Sequence, residues 1–234
     1  MARDVSNILR IPLLYASALQ WEVTFATGFA MMALASQDVV SHLRGMNASD
    51  SNLVGKLLIA MPDMSDPRFA NTVIYMCAHS DEGGMGLIVN KPQPDVKFAK
   101  LLEQMEIPMS SGAPDVRVHY GGPVEQQRGF VLHSNDYASD NGTLDVDDRF
   151  RMTATLQVLE DLAKGEGPDV SMMALGYAGW GPGQLEYEIG QNGWLTCPAN
   201  EDILFGPDNA GKWAAALKLL GIDPLLLSAT AGRA

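Results

Sequence analysis

The residues with the clearest potential for chemistry are a cysteine and a histidine two positions apart in the run VIYMCAHS, residues 73–80. Alternate side chains of a regular strand share a face, so Tyr75, Cys77 and His79 are expected to point the same way. An imidazolium near a thiol lowers the thiol pKa and favours a reactive thiolate. Two residues span about 6.6 Å, which is long for a direct Cys–His hydrogen bond. Cys77 and His79 are therefore the candidate catalytic residues, against the alternative of a buried small hydrophobe beside a strand-end histidine.

Two short runs combine histidine, serine and aspartate, HSD at 79–81 and HSND at 133–136. A hydrolase triad is a spatial arrangement in which each group hydrogen-bonds the next, so adjacency in sequence is weak evidence for it. The chain also contains no GxSxG elbow to aim a serine. Both runs are interpreted as polar strand ends. The question of enzymatic activity stays open, with the balance toward a non-enzymatic role.

The run GPDNAGK, residues 206–212, fits the spacing of a phosphate-binding loop. Three residues are wrong for that role. Trp213 stands where Ser or Thr should ligate magnesium, Asp208 adds negative charge, and Pro207 removes a backbone N–H. The run is interpreted as a connection between elements, and nucleotide binding is the third and weakest functional hypothesis.

The glycine-rich run GYAGWGPG, residues 176–183, has the wrong spacing for a dinucleotide fingerprint. Tyr177 and Trp180 can wall a pocket beside the N-terminus of a following helix, whose free N–H groups attract anions. The alternative is that both rings bury aromatic area against the sheet. This run is nevertheless the best ligand-site hypothesis that the sequence offers. The predicted ligand-binding residues are Asn90, Gly121, Gly122, Tyr177 and Trp180.

Metal and disulfide chemistry have little support. His79, His119 and His133 lie on different segments without HxxxH or HExxH spacing, and Cys77 and Cys197 lack CxxC spacing. We therefore predict no metal, no cofactor and no disulfide framework. A reducing cytoplasm is the default location.

Composition describes an acidic globular protein. The 234 residues are 47% hydrophobic, with a formal net charge of −12. Affinity for a phosphate backbone comes largely from Lys and Arg, so direct nucleic-acid binding is disfavoured. Regulation through a protein partner remains compatible with this charge.

Residues 1–45 differ in character from the rest. Residues 11–36 are apolar with Glu22 as the only charge. In a membrane-spanning helix, that glutamate would lie near the centre of the bilayer, where a charged side chain is energetically unfavourable. A signal peptide ending at 33–35 would be long and acid-interrupted. We favour an appended segment outside the fold, with Met46 as the true start, no membrane association, and one domain over 46–234.

Apolar periodicity predicts the elements of this domain. The predicted strands are 56–60, 72–79, 85–90, 116–120, 129–132, 143–146, 170–175, 193–197 and 203–205. The predicted helices are 96–105, capped by Asp95, 155–164, 184–189 and 211–220. No regular βαβ alternation is present, so the fold class is α+β. We expect a single domain with a mixed, largely antiparallel sheet, able to close partly into a barrel, and about four helices packed on it.

Three runs, 55–92, 119–134 and 175–195, resemble the AlgH/YqgE family of bacterial proteins. The residues that carry the resemblance are Gly55, Pro62, Asp66, Pro67, Phe69, Tyr75, Cys77, His79, Gly86, Asn90, Lys91, Pro92, Gly121, Gly122, Pro123, Gly176, Tyr177, Gly179, Trp180, Gln184, Glu188 and Trp194. The resemblance covers Met46 to the C-terminus. It implies an α+β fold of its own type and a regulatory association, since one member is named as a regulator of alginate production. It implies no mechanism.

The function expected from these observations is that of a cytoplasmic regulatory or binding protein without enzymatic activity. It would contact an unknown protein or small-molecule partner through residues 77–90, 121–123 and 176–180. The alternative is a thiol-dependent enzyme or redox sensor that uses Cys77.

Overall fold

One curled sheet dominates the computed structural model, which describes residues 52–139, 142–224 and 227. The predicted appended segment 1–45 and the start at Met46 lie outside these residues. The strands of the described part are β1 (Lys56–Ala60), β2 (Val73–Ser80), β3 (Gly83–Ile88), β4 (Val118–Tyr120), β5 (Val124–Ser134), β6 (Thr143–Asp145), β7 (Phe150–Thr153), β8 (Ser171–Trp180) and β9 (Trp194–Pro198). Their order is β6-β7-β5-β8-β3-β2-β1-β9, with β4 also paired to β8.

The pairings are antiparallel except that of β4 with β8, which is parallel. The hairpin of β2 and β3 follows from the SDEGG turn, whose residues tolerate unusual backbone angles. The predicted single-domain α+β fold with a mixed, largely antiparallel and partly closed sheet is therefore confirmed.

Five helices cover this sheet within the described residues: α1 (Phe98–Gln104), α2 (Leu156–Lys164), α3 (Gln184–Gly190), α4 (Glu201–Phe205) and α5 (Lys212–Leu219). Two predictions differ from these helices and were wrong: one N-cap and one predicted strand. The N-cap of α1 is Lys97 and not Asp95. The predicted strand 203–205 is part of helix α4, because the side chain of Asn200 accepts a hydrogen bond from the backbone N–H of Ile203 and caps a helix there.

Strand β8 continues through Gly176 and Gly179 to Trp180, five residues beyond the predicted end of this strand at residue 175. Gly176 has a φ of +72°, and a Cβ there would lie 2.5 Å from the carbonyl oxygen of Gly122. A Cβ on Gly121 would lie 2.1 Å from the carbonyl oxygen of Gly176. Glycine at these positions lets the chain that follows β4 pass directly against β8. Strand β8 therefore continues through Gly176 instead of ending there.

Strand β2 carries a bulge between Met76 and Ala78. Cys77 and Ala78 both pack in the core inside the curled sheet, whereas Met76 packs on the outer face. A Cβ on Gly84 would meet both the Met76 methyl and the His79 ring, at 3.1 and 3.4 Å, so His79 also lies on the outer face. Tyr75 and Cys77 share the concave face as expected. The expectation that His79 shares it is wrong, because the extra residue of a bulge reverses the alternation beyond it.

Three apolar clusters hold the elements together. One fills the concave side of the sheet around Tyr75, Phe130 and Phe150. A second lies under α1 and α2, whose buried positions recur with helical spacing. The third packs α3 and its Leu185 against the outer face of β1, β2 and β3. This third cluster fixes the helix that borders the candidate site.

Candidate functional site

A cleft of about 550 Å³ opens on the outer face of the sheet. The segment that follows β1 forms one wall, and α3 with the start of β9 forms the opposite wall. The end of β8 and the residues that begin β5 lie between them. The lining residues come from 64–69, 123–124, 179–180 and 184–194. This volume suits a small molecule or a short peptide side chain with its flanking backbone.

The carboxylate of Glu188 is bracketed inside the cleft by three donors. Its Oε2 accepts hydrogen bonds from the indole Nε1 of Trp180 at 3.0 Å and of Trp194 at 2.8 Å. Its Oε1 accepts from the Nε2 of Gln184 at 2.8 Å. The Oε1 of Gln184 accepts in turn from the backbone N–H of Gly181. Hydrogen bonds to a charged acceptor are the stronger kind, so the carboxylate is held in one position.

Aromatic rings form the floor and rim of the cleft. Phe69 and Trp180 each meet Trp194 edge to face, with centroid distances of 5.8 and 5.9 Å. Both tryptophans are almost fully buried. Tyr187 on α3 is the exception, since 69% of it is exposed at the rim. An exposed aromatic beside a cleft is typical of contact surfaces.

An ion pair marks the first wall, which is the segment that follows β1. The Arg68 guanidinium contacts both carboxylate oxygens of Asp66, with Nη2 to Oδ2 at 2.6 Å. These hydrogen bonds lower the pKa of Asp66. The Nζ of Lys91 donates to the carbonyl of Arg68 at 2.8 Å and ties this wall to the end of β3. The pair is exposed, so its worth lies in fixing charge positions more than in stability.

Asn90 supports the cleft from behind. Its Oδ1 accepts from the backbone N–H of Val73, and its Nδ2 donates to the carbonyl of Asn71. These bonds continue the β2–β3 pairing and hold the end of the segment that forms the first wall. Asn90 is not one of the cleft's lining residues.

The other predicted ligand-binding residues divide between fold and cleft. Gly121 and Gly122 make the close backbone crossing with β8, and a Cβ on Gly122 would lie 2.1 Å from the carbonyl carbon of Tyr177. Tyr177 packs edge to face on Phe130 on the concave side. Trp180 lines the cleft. Of the five predicted residues, the structure brings Trp180 into the site and places the other four around or behind it.

The candidate catalytic pair is separated. Cys77 is fully buried, its Sγ faces the carbonyl of Tyr75 at 3.7 Å, and burial raises the thiol pKa. The Nε2 of His79 contacts Glu186 on α3 at 2.8 Å, and its Nδ1 accepts from the backbone N–H of Leu53. His79 therefore fastens α3 to the sheet and lies across the sheet from the thiol.

The 206–212 run points its lysine inward. The Nζ of Lys212 donates to the carbonyls of Val89 and Leu204 at 2.8 and 2.9 Å, and burial lowers its pKa to about 8. The backbone N–H of Gly211 donates to the Asp208 carboxylate, which occupies the place an anion would take. Both groups are used by the protein itself, so the geometry offers no phosphate cradle.

The remaining histidines are buried and separate. His133 bonds the hydroxyl of Thr153 and the carbonyl of Ser134. The Nε2 of His119 donates to the Oδ1 of Asn209, while the Nδ1 of His119 has no partner among the described residues. Burial lowers the pKa of His119 to about 4. The described residues hold no group of three His, Cys, Asp or Glu side chains arranged for a metal ion.

Gln184, Glu188 and Trp194 carry the family resemblance, but their residue types alone do not predict a role in a site. Gln184 and Glu188 are four residues apart in a predicted helix, a spacing that places side chains side by side. This spacing predicts contact between Gln184 and Glu188 from the sequence alone. The contact of Glu188 with two tryptophans from different strands depends on tertiary packing, so local sequence does not predict it.

Comparison with known proteins identifies the family to which this chain belongs. The sequence pattern of the AlgH-like family matches residues 57–225. A UPF0301 protein of Ruegeria pomeroyi is 61% identical over 184 residues, which cover 78% of this chain and 100% of that protein. The chain belongs to the AlgH-like family. The predicted family is thereby confirmed.

Other members agree with this assignment. A UPF0301 protein of Cereibacter sphaeroides is 55% identical over 183 residues, covering 78% of this chain and all of that protein. The solution structure of the AlgH protein from Pseudomonas aeruginosa is 41% identical with a TM-score of 0.65, over 80% of this chain and 98% of that one. A Corynebacterium diphtheriae protein, 24% identical with a TM-score of 0.59 over 79% of this chain and 95% of that one, shares the fold. The described part of this AlgH-like chain has no helix of the length and apolarity needed to cross a membrane.

Proposed function

We propose that this AlgH-like protein is a cytoplasmic regulatory or binding protein that works without catalysis and engages its ligand or partner in the cleft beside α3. The observation that carries the proposal is the bracketed carboxylate of Glu188. Two buried indoles and one side-chain amide hold this carboxylate in place at the surface of the cleft. Groups fixed in this way are typical of binding sites whose geometry is formed before the ligand arrives.

The residues that carry the family resemblance support the same location. Eight of them come from distant parts of the sequence and meet at this cleft. Those lining the cleft are Asp66, Phe69, Pro123, Gly179, Trp180, Gln184, Glu188 and Trp194. Most of these polar and aromatic residues are exposed or half-buried at one concavity, which favours recognition over a purely structural role.

The contact is proposed with a protein or a small molecule and not with nucleic acid. The net charge of −12 opposes a phosphate backbone. An effect on transcription would then pass through a protein partner.

The thiol alternative has weaker support. A nucleophilic thiolate needs access and a lowered pKa. Cys77 is fully buried and burial raises its pKa, while His79 bonds Glu186 on the other face. We therefore place recognition ahead of thiol chemistry.

A thermal-shift screen tests the proposal on the full chain. The panel contains amino-acid amides, nucleotides, sugar phosphates, organic acids and short peptides, and each hit is repeated with Tyr187→Ala. Tyr187 is exposed at the rim, so its truncation leaves the fold intact while removing contact area. Leu219→Ala, an exposed residue on α5, is the matched control.

A hit whose rise in melting temperature shrinks in Tyr187→Ala but persists in Leu219→Ala supports the cleft. Hits that are indifferent to Tyr187 place recognition elsewhere. Turnover of any panel compound by the purified chain would count against a role without catalysis.

A further inference from the structure

The charges in the cleft do not balance. Within the described part of the chain, three charged side chains line it: Asp66, Arg68 and Glu188. Asp66 and Arg68 neutralise each other through their ion pair. Glu188 accepts hydrogen bonds from neutral donors alone, and no cationic side chain of the described residues pairs with it. One negative charge is left without a counter-charge.

This charge is held where a counter-charge has the most effect. Glu188 is half-buried against two buried indoles, so water screens it less than it screens a surface carboxylate. A carboxylate has about four acceptor positions, and the three bonds leave one of them free. The free position and the full charge both lie at the cleft, because Glu188 is one of the lining residues.

The surrounding rings favour the same kind of ligand. Aromatic faces, tryptophan above all, attract cations. The wall already shows one such contact, since the Arg68 guanidinium lies 5.9 Å from the centroid of the Phe69 ring. Tyr187 adds an exposed ring at the rim. The net charge of −12 also raises the local concentration of cations.

We infer that the ligand carries a cationic nitrogen, an ammonium or guanidinium group, that pairs with the Glu188 carboxylate between Trp180 and Tyr187. The inference rests on the proposed function and names its ligand chemistry. The cation belongs either to a free small amine or to a Lys or Arg side chain of a peptide. The volume of about 550 Å³ accommodates both.

Isothermal titration calorimetry on the full chain tests this chemistry with Nα-acetylarginine amide and its uncharged isostere Nα-acetylcitrulline amide, called arginine amide and citrulline amide below. The blocked α-amino groups leave the guanidinium as the only cation in the pair. Arginine amide is expected to bind and citrulline amide to bind at least about tenfold more weakly, the loss of one charge-assisted hydrogen bond. The blocked peptide acetyl-Ala-Arg-Ala-amide forms the second arm. Tighter binding of the peptide than of arginine amide identifies a peptide source, and the reverse identifies a free amine.

Three variants locate the binding. Glu188→Gln is expected to weaken the binding of arginine amide at least about tenfold, whereas Glu166→Gln, the same change at an exposed position between α2 and β8, leaves it unchanged. Gln184→Lys keeps the carboxylate and places an internal ammonium beside it, because Gln184 already reaches the Glu188 Oε1. It is expected to suppress binding as well, which separates loss of the charge from loss of the fold.

Equal binding of arginine amide and citrulline amide, binding of neither, or full binding by Gln184→Lys would overturn the inference. None of these outcomes touches the thermal-shift test of the cleft, in which uncharged and anionic compounds are also present. An uncharged or anionic compound whose stabilising effect is lost in Tyr187→Ala would support the proposed function and would refute only the cationic ligand.

Discussion

Removing the Glu188 carboxylate should destabilise the protein by leaving two buried donors without acceptors. The Nε1 atoms of Trp180 and Trp194 both bond the same Glu188 oxygen, and Trp194 is only 2% exposed. An unsatisfied buried donor costs about 1–3 kcal/mol. The cleft lets some water reach these groups, so Glu188→Ala is expected to lower the free energy of unfolding by about 2–4 kcal/mol.

Urea unfolding followed by circular dichroism measures this loss. With a slope near 2 kcal/mol/M for a domain of this size, the midpoint should fall by about 1–2 M. Glu166→Ala, at an exposed position, should change the free energy of unfolding by less than about 0.5 kcal/mol. In a Trp194→Phe background, which lacks one of the donors, Glu188→Ala should cost about 1 kcal/mol less. A midpoint for Glu188→Ala within error of the wild type would refute the reasoning that the indoles depend on this carboxylate.

Three further predictions concern buried positions elsewhere in the fold. Gly121→Ala places a Cβ 2.1 Å from a backbone oxygen and should cost more than about 3 kcal/mol in urea unfolding, while Gly112→Ala, which meets nothing within 4 Å, should cost less than about 0.5. Cys77 is buried with a raised pKa, so a thiol reagent should modify it at neutral pH only as fast as the protein opens, and a rapid phase with an inflection below about 8.5 would contradict this. His119 has its pKa lowered from 6.5 to about 4, so the unfolded chain binds a proton that the folded chain does not in that window. Acidification from pH 6.5 to pH 4 should therefore cost up to about 3 kcal/mol through this residue, and His119→Gln should lose less stability than the wild type over the same range.

The local elements of the fold follow closely from the sequence. The SDEGG turn between two apolar runs predicts the β2–β3 hairpin, and the apolar spacing of α2 with Gly165 behind it predicts both that helix and its left-handed cap. Such signals are local because each depends on residues within one or two turns of chain. The wrong assignments arose where a side chain or a distant strand decided the outcome. Asn200 capped a helix where β-branched and apolar residues suggested a strand.

The candidate site was less accessible to sequence reasoning. Trp180 was assigned to a pocket because aromatic residues in a glycine-rich run suggest one. The bulge at Cys77 could not be predicted from the sequence, since nothing in the surrounding residue types indicates an extra residue in the strand. The Glu188 bracket joins a helix to the ends of two strands, and only the packing of α3 on the sheet brings them together.

Indole N–H signals in the nuclear magnetic resonance spectrum test most directly that the cleft recognises a cation. Trp180 and Trp194 donate to Glu188, whereas the indole of Trp213 donates to the carbonyl of Ala60 and serves as an internal reference. Titration with arginine amide should shift the Trp180 and Trp194 signals, assigned from their Phe variants, with one saturation curve and leave Trp213 in place. Saturating arginine amide that moves neither of the two cleft signals, or moves Trp213 alone, would contradict the account.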